Sequence, residues 1–284
     1  IDAGTYFDLN SPPSGRLYYR VAGVSGGIEG PQSFSVTVVT KPSTPINVVA
    51  QALDTARIRV TWNNGGGPIH TYIIYRGITP GALVRIDSTI SISYTDSLGL
   101  LPSTRDYYQV SATNIVDVEG VRSALYYEVS DPAAPHLIST LTIDTSQILI
   151  TWIGGTGGAL RYRIYRSLDS LNWFLIDSTT GLNYTDITLI SGTRYYYRII
   201  AVNELGRGGV YSNSSSAVTH PSSVKNLIAT ALDTIRITLS WTQNGTQDKY
   251  YKIFGGTDTA ALSLIDSTLA LTDILSGLLP STLY

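Results

Sequence analysis

The chain has 284 residues, with no Cys, no Met and a formal net charge of −2 from 14% charged residues. These values exclude a disulfide framework and thiolate chemistry, and they leave no basic patch that would attract nucleic acid. No apolar run approaches the roughly 18 residues that a membrane-spanning helix needs. We therefore expect a protein outside the cell or at the cell surface, with no membrane span in this segment.

The dominant pattern is a repeat of nearly constant length. Trp62, Trp152 and Trp241 lie 90 and then 89 residues apart, and they end the runs RIRVTW, QILITW and RITLSW. The tetrapeptide IDST follows each of them at a fixed distance. A period this long predicts an array of similar domains. Such arrays usually provide length, reach or a polymer rather than one active site.

The predicted elements, taken from the N-terminus, begin in the middle of a repeat. LYYRVAGVS at 17–25 matches the later half of a complete repeat, and LLPSTLY at 278–284 breaks off where complete repeats continue. We expect the C-terminal part of one module, two complete modules and the N-terminal part of another, at 1–41, 42–131, 132–221 and 222–284.

Each complete repeat alternates apolar and polar residues with the period of a β-strand. Ile58, Val60 and Trp62 share one strand face, and Tyr108 and Val110 share the face of a later strand. Glycine-rich turn signals follow each repeated Trp, and no window has a helical period. Seven short strands per repeat, with one Trp on the second, predict an all-β antiparallel sandwich of two sheets. The core residues should then be Trp62, Trp152 and Trp241.

The pattern PxxVxA…RIxVTW…YxIYR…YTD…PSTxYYYxVxAxN…S resembles the fibronectin type III module, in the style of bacterial and archaeal examples. The resemblance covers the whole chain and implies tandem immunoglobulin-like antiparallel β-sandwiches. It also implies a corner Tyr before the sixth strand. Tyr195 and Tyr284 match that position, whereas Leu17 and Asp106 replace the Tyr, so we expect no corner hydrogen bond in those two modules.

The connectors between repeats are short and contain Pro, at 40–45, 130–136 and 219–223. Pro stiffens a connector and blocks β-pairing through it, which favours semi-rigid joints. Asp131 is the only acidic residue in these connectors, and a calcium site needs several clustered oxygens. We therefore expect no calcium at the joints.

Candidates for catalysis are few. The three His residues lie far apart and at different places in the repeat, whereas a triad or zinc site needs converging groups. They are His70, His136 and His220. The Asp of each IDST recurs in every repeat, which favours a turn-capping role over an integrin-recognition triplet. These are Asp87, Asp177 and Asp266. We expect no enzyme activity, no metal and no cofactor.

Three Asn-x-Ser/Thr sequons begin at Asn183, Asn213 and Asn244. Chance alone predicts about this number in a chain so rich in Ser and Thr. Their placement in loops or at strand starts is compatible with glycosylation, and both interpretations stay open.

The outward side of one sheet should carry a Tyr pair in each complete repeat. The pairs are Tyr75 with Tyr107, and Tyr165 with Tyr196. Tyr is a good strand former on any sheet surface, and it is also enriched at contact sites. The second interpretation predicts a lateral contact between copies, or a weak platform for surface glycans.

Three function classes remain open. The first is a structural, non-catalytic subunit or segment of an extracellular filament or cell-surface fibre. Its partial end modules would be completed by strands from a neighbouring copy or from the same longer chain. The segments at 6–8 and 271–273 both resemble the fifth strand, and this overlap favours a longer chain. The alternatives are an adhesin-like binding array, and a fibronectin type III spacer of a larger secreted carbohydrate-active enzyme.

Overall fold

The structure is a computed structural model that describes residues 4–244 and 249–283. All regular structure in these ranges is β, as the sequence predicts. None of their segments forms a helix with the length and apolar character needed to cross a bilayer. The chain divides into two compact units. The first is Ile1–Ala134 with Gly155–Leu160 and Ala201–Val210, and the second is Pro135–Gly154, Arg161–Ile200 and Tyr211–Tyr284. This division does not follow the module limits expected from the repeat, which stay a prediction.

The first 41 residues form two short antiparallel pairs. The strands are β1 (Arg16–Tyr19), β2 (Val24–Ser25), β3 (Ile28–Glu29) and β4 (Val36–Val39). β1 pairs with β4, and β2 pairs with β3. Their apolar side chains are largely exposed: Val21 is 73% exposed, whereas its counterpart Val110 in the next module is fully buried.

The second module is a seven-stranded antiparallel sandwich. Its strands are β5 (Ile46–Ala52), β6 (Ile58–Asn63), β7 (Thr71–Gly77), β8 (Val84–Thr89), β9 (Ser93–Asp96), β10 (Arg105–Thr113) and β11 (Tyr126–Val129). One sheet has the order β5-β6-β9, and the other has the order β11-β10-β7-β8.

The core of this module follows from the alternation in its sequence. Ile58, Val60 and Trp62 on β6 point inward and are at most 2% exposed, and Tyr108 and Val110 on β10 face them fully buried. The Trp62 ring packs edge-on against a Tyr of β7 with centroids 5.3 Å apart. Truncating an aromatic side chain in such a core typically costs ~3–5 kcal/mol.

The third module repeats this architecture. Its strands are β12 (His136–Thr142), β13 (Ile148–Ile153), β14 (Arg161–Ser167), β15 (Phe174–Thr179), β16 (Asn183–Asp186), β17 (Arg194–Val202), β18 (Gly208–Tyr211) and β19 (Ser215–Val218). One sheet has the order β12-β13-β16. The other has the order β15-β14-β17-β18, with β19 also paired to β17.

The last strand of the third module differs from the prediction, because it is split into β18 and β19. Ser212 lies at the break, and its hydroxyl accepts a hydrogen bond from the Ile199 amide over 2.9 Å. Ser123 makes the same contact with the Val110 amide in the second module, over 3.0 Å. The difference therefore lies in Gly208–Tyr211, which pair with β17 as an additional strand. Trp152 is 4% exposed and packs edge-on against Tyr162, with centroids 5.5 Å apart.

The last segment forms the Trp-bearing strands of a further module. They are β20 (Lys225–Ala231), β21 (Ile237–Thr242), β22 (Tyr251–Gly255), β23 (Ser263–Thr268) and β24 (Thr272–Leu275). β20, β21 and β24 form one sheet, and β22 pairs with β23. Trp241 is 6% exposed, but Ile237 and Leu239 beside it are only half-buried.

The two complete modules differ at the corner before their sixth strand. In the third module Tyr195 is buried, and its hydroxyl accepts a hydrogen bond from the Ile190 amide over 3.0 Å. The Arg166 guanidinium lies 5.4 Å from the Tyr195 ring. The second module has Asp106 there, so this bond is missing, as expected. The corner predicted at Tyr284 lies outside the described residues.

A buried carboxylate recurs beside the corner. Asp96 accepts hydrogen bonds from the Tyr108 hydroxyl over 2.9 Å and from Arg76 Nη1 over 2.7 Å. The third module repeats this cluster with Asp186, Tyr197 and Arg166. Burial raises the pKa of Tyr108 and of Tyr197, so both phenols stay protonated and donate to these carboxylates.

Candidate functional site

The residues first considered for catalysis do not converge. His70 lies 3.0 Å from the Asp117 carboxylate in an exposed position, and His136 and His220 are exposed elsewhere. Within residues 4–244 and 249–283, no three or more His, Cys, Asp or Glu side chains are grouped so that they could hold a metal ion.

The IDST segments correct one expectation, because they lie near the ends of strands rather than in turns. Each Asp carboxylate accepts a hydrogen bond from the amide of the Ser that follows it, over 2.6–2.7 Å. These carboxylates belong to Asp87, Asp177 and Asp266. The strand pairing shifts register beside them, and the Asp side chain satisfies an amide at that irregularity.

The three sequon asparagines are exposed. Asn183 begins β16, Asn213 lies between β18 and β19, and Asn244 follows β21. The two residues that complete the third sequon lie outside the described residues. Their glycosylation stays a prediction.

The outward Tyr pair of the second module differs from the expectation. Tyr75 is only 6% exposed, because the Arg122 guanidinium covers its ring at 3.5 Å. The Tyr75 hydroxyl donates a hydrogen bond to Glu119 over 2.7 Å. Tyr107 is half-buried and contacts the Tyr127 ring at 5.8 Å. Tyr75 therefore offers no free contact surface; the segment between β10 and β11 returns over it.

The outward face of the third module carries a stack of Arg and aromatic side chains. The Arg198 guanidinium lies 3.7 Å from the Tyr211 ring and 4.5 Å from the Trp173 ring. Tyr165 and Tyr196 are half-buried on the same face. The sequence interpretation missed Trp173 and Tyr211, because neither recurs in the second module. A lateral contact through this face stays a prediction.

The most regular non-core feature is a joint that occurs twice within the first compact unit. Its centre is an Asn directly after the sixth strand, Asn114 in the second module and Asn203 in the third; both are at most 1% exposed. Asn114 Nδ2 donates a hydrogen bond to the Thr40 carbonyl over 2.8 Å, and Asn203 Nδ2 donates to the Ser130 carbonyl over 3.2 Å. Each acceptor lies one residue before the expected end of the preceding module.

The same two Asn side chains also fix their own loops. Asn114 Oδ1 accepts hydrogen bonds from the amides of Val116 and Val118, over 3.1 and 3.0 Å. Asn203 Oδ1 accepts from the second and fourth residues after it, over 3.1 and 3.0 Å. One amide group thus closes a loop and ties it to the segment before it. Leaving such buried partners unsatisfied costs about 1–3 kcal/mol.

Glycines let the backbone approach closely at the same joint. Three positions per joint leave no room for a Cβ, which would collide with a carbonyl oxygen of the connector or of the preceding segment. At Gly67 that Cβ would lie 2.5 Å from the Pro13 oxygen, and at Gly120 it would lie 2.7 Å from the Pro42 oxygen. The three pairs of equivalent positions are Gly65 and Gly155, Gly67 and Gly157, and Gly120 and Gly209.

Ion pairs distinguish the second occurrence of the joint from the first. Arg207 pairs with Glu128 and lies 3.2 Å from the Asp131 carboxylate, while Arg105 Nε lies 2.8 Å from Glu204. Burial raises the pKa of Asp131 above its ordinary value, and Arg207 opposes that rise. The counterparts of Arg207 and Glu204 in the second module are Val118 and Ile115, which carry no charge.

The recurring AxN at the end of the sixth strand and the Gly-rich loops were the sequence signals for this joint. The sequence could not reveal their acceptors, which are backbone carbonyls of a different repeat.

No protein-family model matches the chain. Among curated proteins, it is 27% identical over 258 residues to receptor-type tyrosine-protein phosphatase eta of Gallus gallus, covering 88% of this chain and 18% of that protein. It is also 27% identical over 227 residues to exoglucanase B of Cellulomonas fimi, covering 70% of this chain and 20% of that protein. The chain thus spans about a fifth of each relative.

Similar solved structures include the FN1–FN3 domains of chicken CNTN1, with 17% identity, a TM-score of 0.32, and coverage of 85% of this chain and 90% of that one. A two-domain fibronectin type III segment of chicken tenascin has 15% identity, a TM-score of 0.43, and coverage of 62% and 99%. The two-sheet strand order, three strands facing four, gives the complete modules the fold of fibronectin type III domains, which the repeated sequence pattern resembles.

Proposed function

We propose that this chain is a structural, non-catalytic segment of an extracellular filament or cell-surface fibre. The observation that carries the proposal is the joint centred on Asn114 and again on Asn203. The same Asn hydrogen bonds and the same close backbone contacts at glycines occur twice. The sequence therefore specifies how the loop after the sixth strand contacts the segment before it. A repeated, sequence-specified joint suits a protein whose function depends on a regular length, such as a filament or fibre.

We propose further that other copies of this chain, or more of the same chain, cover the partial modules. Val21 is 73% exposed and Leu239 is half-buried, whereas their counterparts Val110 and Val60 are fully buried. Apolar faces and open strand edges of this kind are aggregation hazards unless they are paired. Matching strands would cover them by strand complementation.

A second candidate is a spacer of a larger secreted carbohydrate-active enzyme, and the similarity to exoglucanase B supports it. A third is an adhesin-like array, for which the stack around Arg198 would be the contact surface for glycans. An extracellular location is common to all three proposals.

Mass spectrometry of the denatured native subunit, together with a glycoside hydrolysis assay, separates these candidates. A mass near 30.7 kDa supports head-to-tail assembly of copies, and a much larger mass without hydrolytic activity supports one long repeating chain. A larger mass with hydrolytic activity in the same polypeptide contradicts the filament and supports the spacer.

A further inference from the structure

The outward face of the larger sheet in the third module is basic and aromatic. The outward positions of β14 and β17 carry four arginines, which are Arg161, Arg163, Arg194 and Arg198. The five strands of this sheet contain one acidic residue, Asp177, and its carboxylate accepts a hydrogen bond from the Ser178 amide. Charge complementarity therefore favours an anionic partner for this face.

Arg198 is held in place by aromatic rings but has no anion of its own. Its guanidinium lies between the rings of Trp173 and Tyr211, and the Tyr165 ring packs edge-on against Tyr211 with centroids 5.3 Å apart. None of its nitrogens has a hydrogen-bond partner or an ion pair in the described part of the chain. Only Nε is sealed from solvent, so Nη1 and Nη2 are accessible. A planar guanidinium with two accessible nitrogens is suited to bind a carboxylate bidentately.

Tyr196 supplies an unoccupied ring beside this arginine. Because side chains alternate along a strand, Tyr196 and Arg198 point to the same side of β17, with Cα atoms about 7 Å apart. Tyr196 is half-buried. Among residues 4–244 and 249–283 its ring has no aromatic or cation–π contact, and its hydroxyl has no hydrogen bond. The face of an aromatic ring is electron-rich, so it attracts the C–H face of a sugar ring.

The second module lacks this combination. The counterpart of Arg198 is Gln109, whose Nε2 atom donates a hydrogen bond to the Ser123 carbonyl over 2.9 Å. The counterpart of Tyr196 is Tyr107, whose ring contacts another Tyr ring at 5.8 Å. Both groups are therefore engaged within the second module, whereas the third module leaves both available to a ligand.

We propose that this face of the third module binds a uronic acid residue of an acidic polysaccharide. The C–H face of the pyranose ring packs on Tyr196, and the carboxylate accepts hydrogen bonds from Nη1 and Nη2 of Arg198. A uronic acid carries its carboxylate directly on the ring, so one residue reaches both side chains across a spacing of about 7 Å. An acidic peptide would satisfy Arg198 but leave the Tyr196 ring unused. The inference rests on the adhesin-like candidate above, whose ligand it names, and it does not depend on the filament.

The test is a titration of the full chain, labelled with ¹⁵N, with tetragalacturonate, followed by amide chemical shifts. We expect saturable shifts around Tyr196 and Arg198, with a dissociation constant of about 1 mM, as suits a small ligand on an open surface. The methyl ester of the sugar lacks the charges and tetraglutamate lacks the rings, so each should bind about tenfold more weakly. Equally tight binding of tetraglutamate would show a surface that takes any polyanion, and it would overturn the proposal.

Three variants provide the controls. Arg198→Gln introduces the residue type that the second module has there, and Tyr196→Ala removes the ring. Each should weaken binding about tenfold while the amide shifts of the core stay in place. Arg161→Gln removes a positive charge at an exposed position of the same face, and it should change the dissociation constant by less than about twofold.

Two results would contradict the site. They are the absence of saturable shifts up to about 10 mM tetragalacturonate, tenfold above the expected constant, and an equal loss of binding in Arg198→Gln and Arg161→Gln. Either result leaves the filament proposal standing, because mass spectrometry and electron microscopy test that proposal separately.

Discussion

The ionisation of Asp106 provides a quantitative test of the corner in the second module. Burial raises the pKa of Asp106 from 3.8 to about 6; Arg76 opposes this rise and Asp96 adds to it. Since one unit of pKa corresponds to about 1.4 kcal/mol, ionising Asp106 costs the folded module about 3 kcal/mol more than it costs the unfolded chain.

The sign of the pH effect follows from where the proton is held more tightly. The folded module keeps the Asp106 proton up to about pH 6, whereas the unfolded chain releases it near its ordinary pKa of 3.8. The free energy of unfolding therefore falls as the pH rises through this window. Asp106→Asn replaces the ionisable carboxyl group by a neutral amide, so the folded variant carries no cost of ionisation at this position. We expect the variant to gain about 3 kcal/mol relative to the wild type between about pH 3.5 and pH 7.5.

The assay is urea unfolding of the full chain labelled with 5-fluorotryptophan, because the ¹⁹F signal of Trp62 reports on the second module alone. Asp117→Asn, at a side chain that is 78% exposed, controls for the loss of one negative charge in the same module. It is compared in a His70→Gln background, because Asp117 lies 3.0 Å from the His70 ring. Wild-type and Asp106→Asn stabilities that change in parallel across this pH range would refute the reasoning.

The remaining predictions concern the joint and the core. Asn203→Ala should leave two loop amides and one carbonyl unsatisfied, so we expect the free energy of unfolding to fall by about 1–3 kcal/mol. Proteolysis at 130–136, measured by mass spectrometry, should become faster. Gly209→Ala should accelerate the same cleavage, because the added Cβ would collide with the Pro132 carbonyl oxygen. The control is Gly81→Ala, whose Cβ has nothing within 4 Å. Equal cleavage of the two variants would contradict the close approach of Gly209 to the connector. Trp152→Ala should cost about 3–5 kcal/mol in urea unfolding, and a loss below about 1 kcal/mol contradicts its place in the core.

The strands and the core were predictable because they depend on local alternation. The two-residue period alone predicts that one strand face, formed by Ile58, Val60 and Trp62, points inward. The burial of Trp152 in the next repeat follows the same prediction. The burial of Tyr75 was not predictable, because Arg122 covers it from a segment that lies 47 residues further along the chain. Alternation indicates which side of a sheet a residue is on, but not what returns to cover that side.

The sequence predicted only one side of the joint. Asn114 and Asn203 recur at one position of the repeat, which marks them, but their acceptors are backbone carbonyls that any residue type provides. The IDST segments were predicted to form turns, because their composition is typical of turns. They lie instead in strands whose pairing shifts register. At Asp106 the sequence showed a missing Tyr, and only the structure showed that the side chain there is buried.

Electron microscopy of the native material from which this chain derives tests the central claim most directly. If the chain is a structural segment of a filament, antibodies against the second and third modules should decorate fibres of uniform width at regular intervals. Isolated molecules, or label confined to a discrete globular enzyme, would contradict the proposed function.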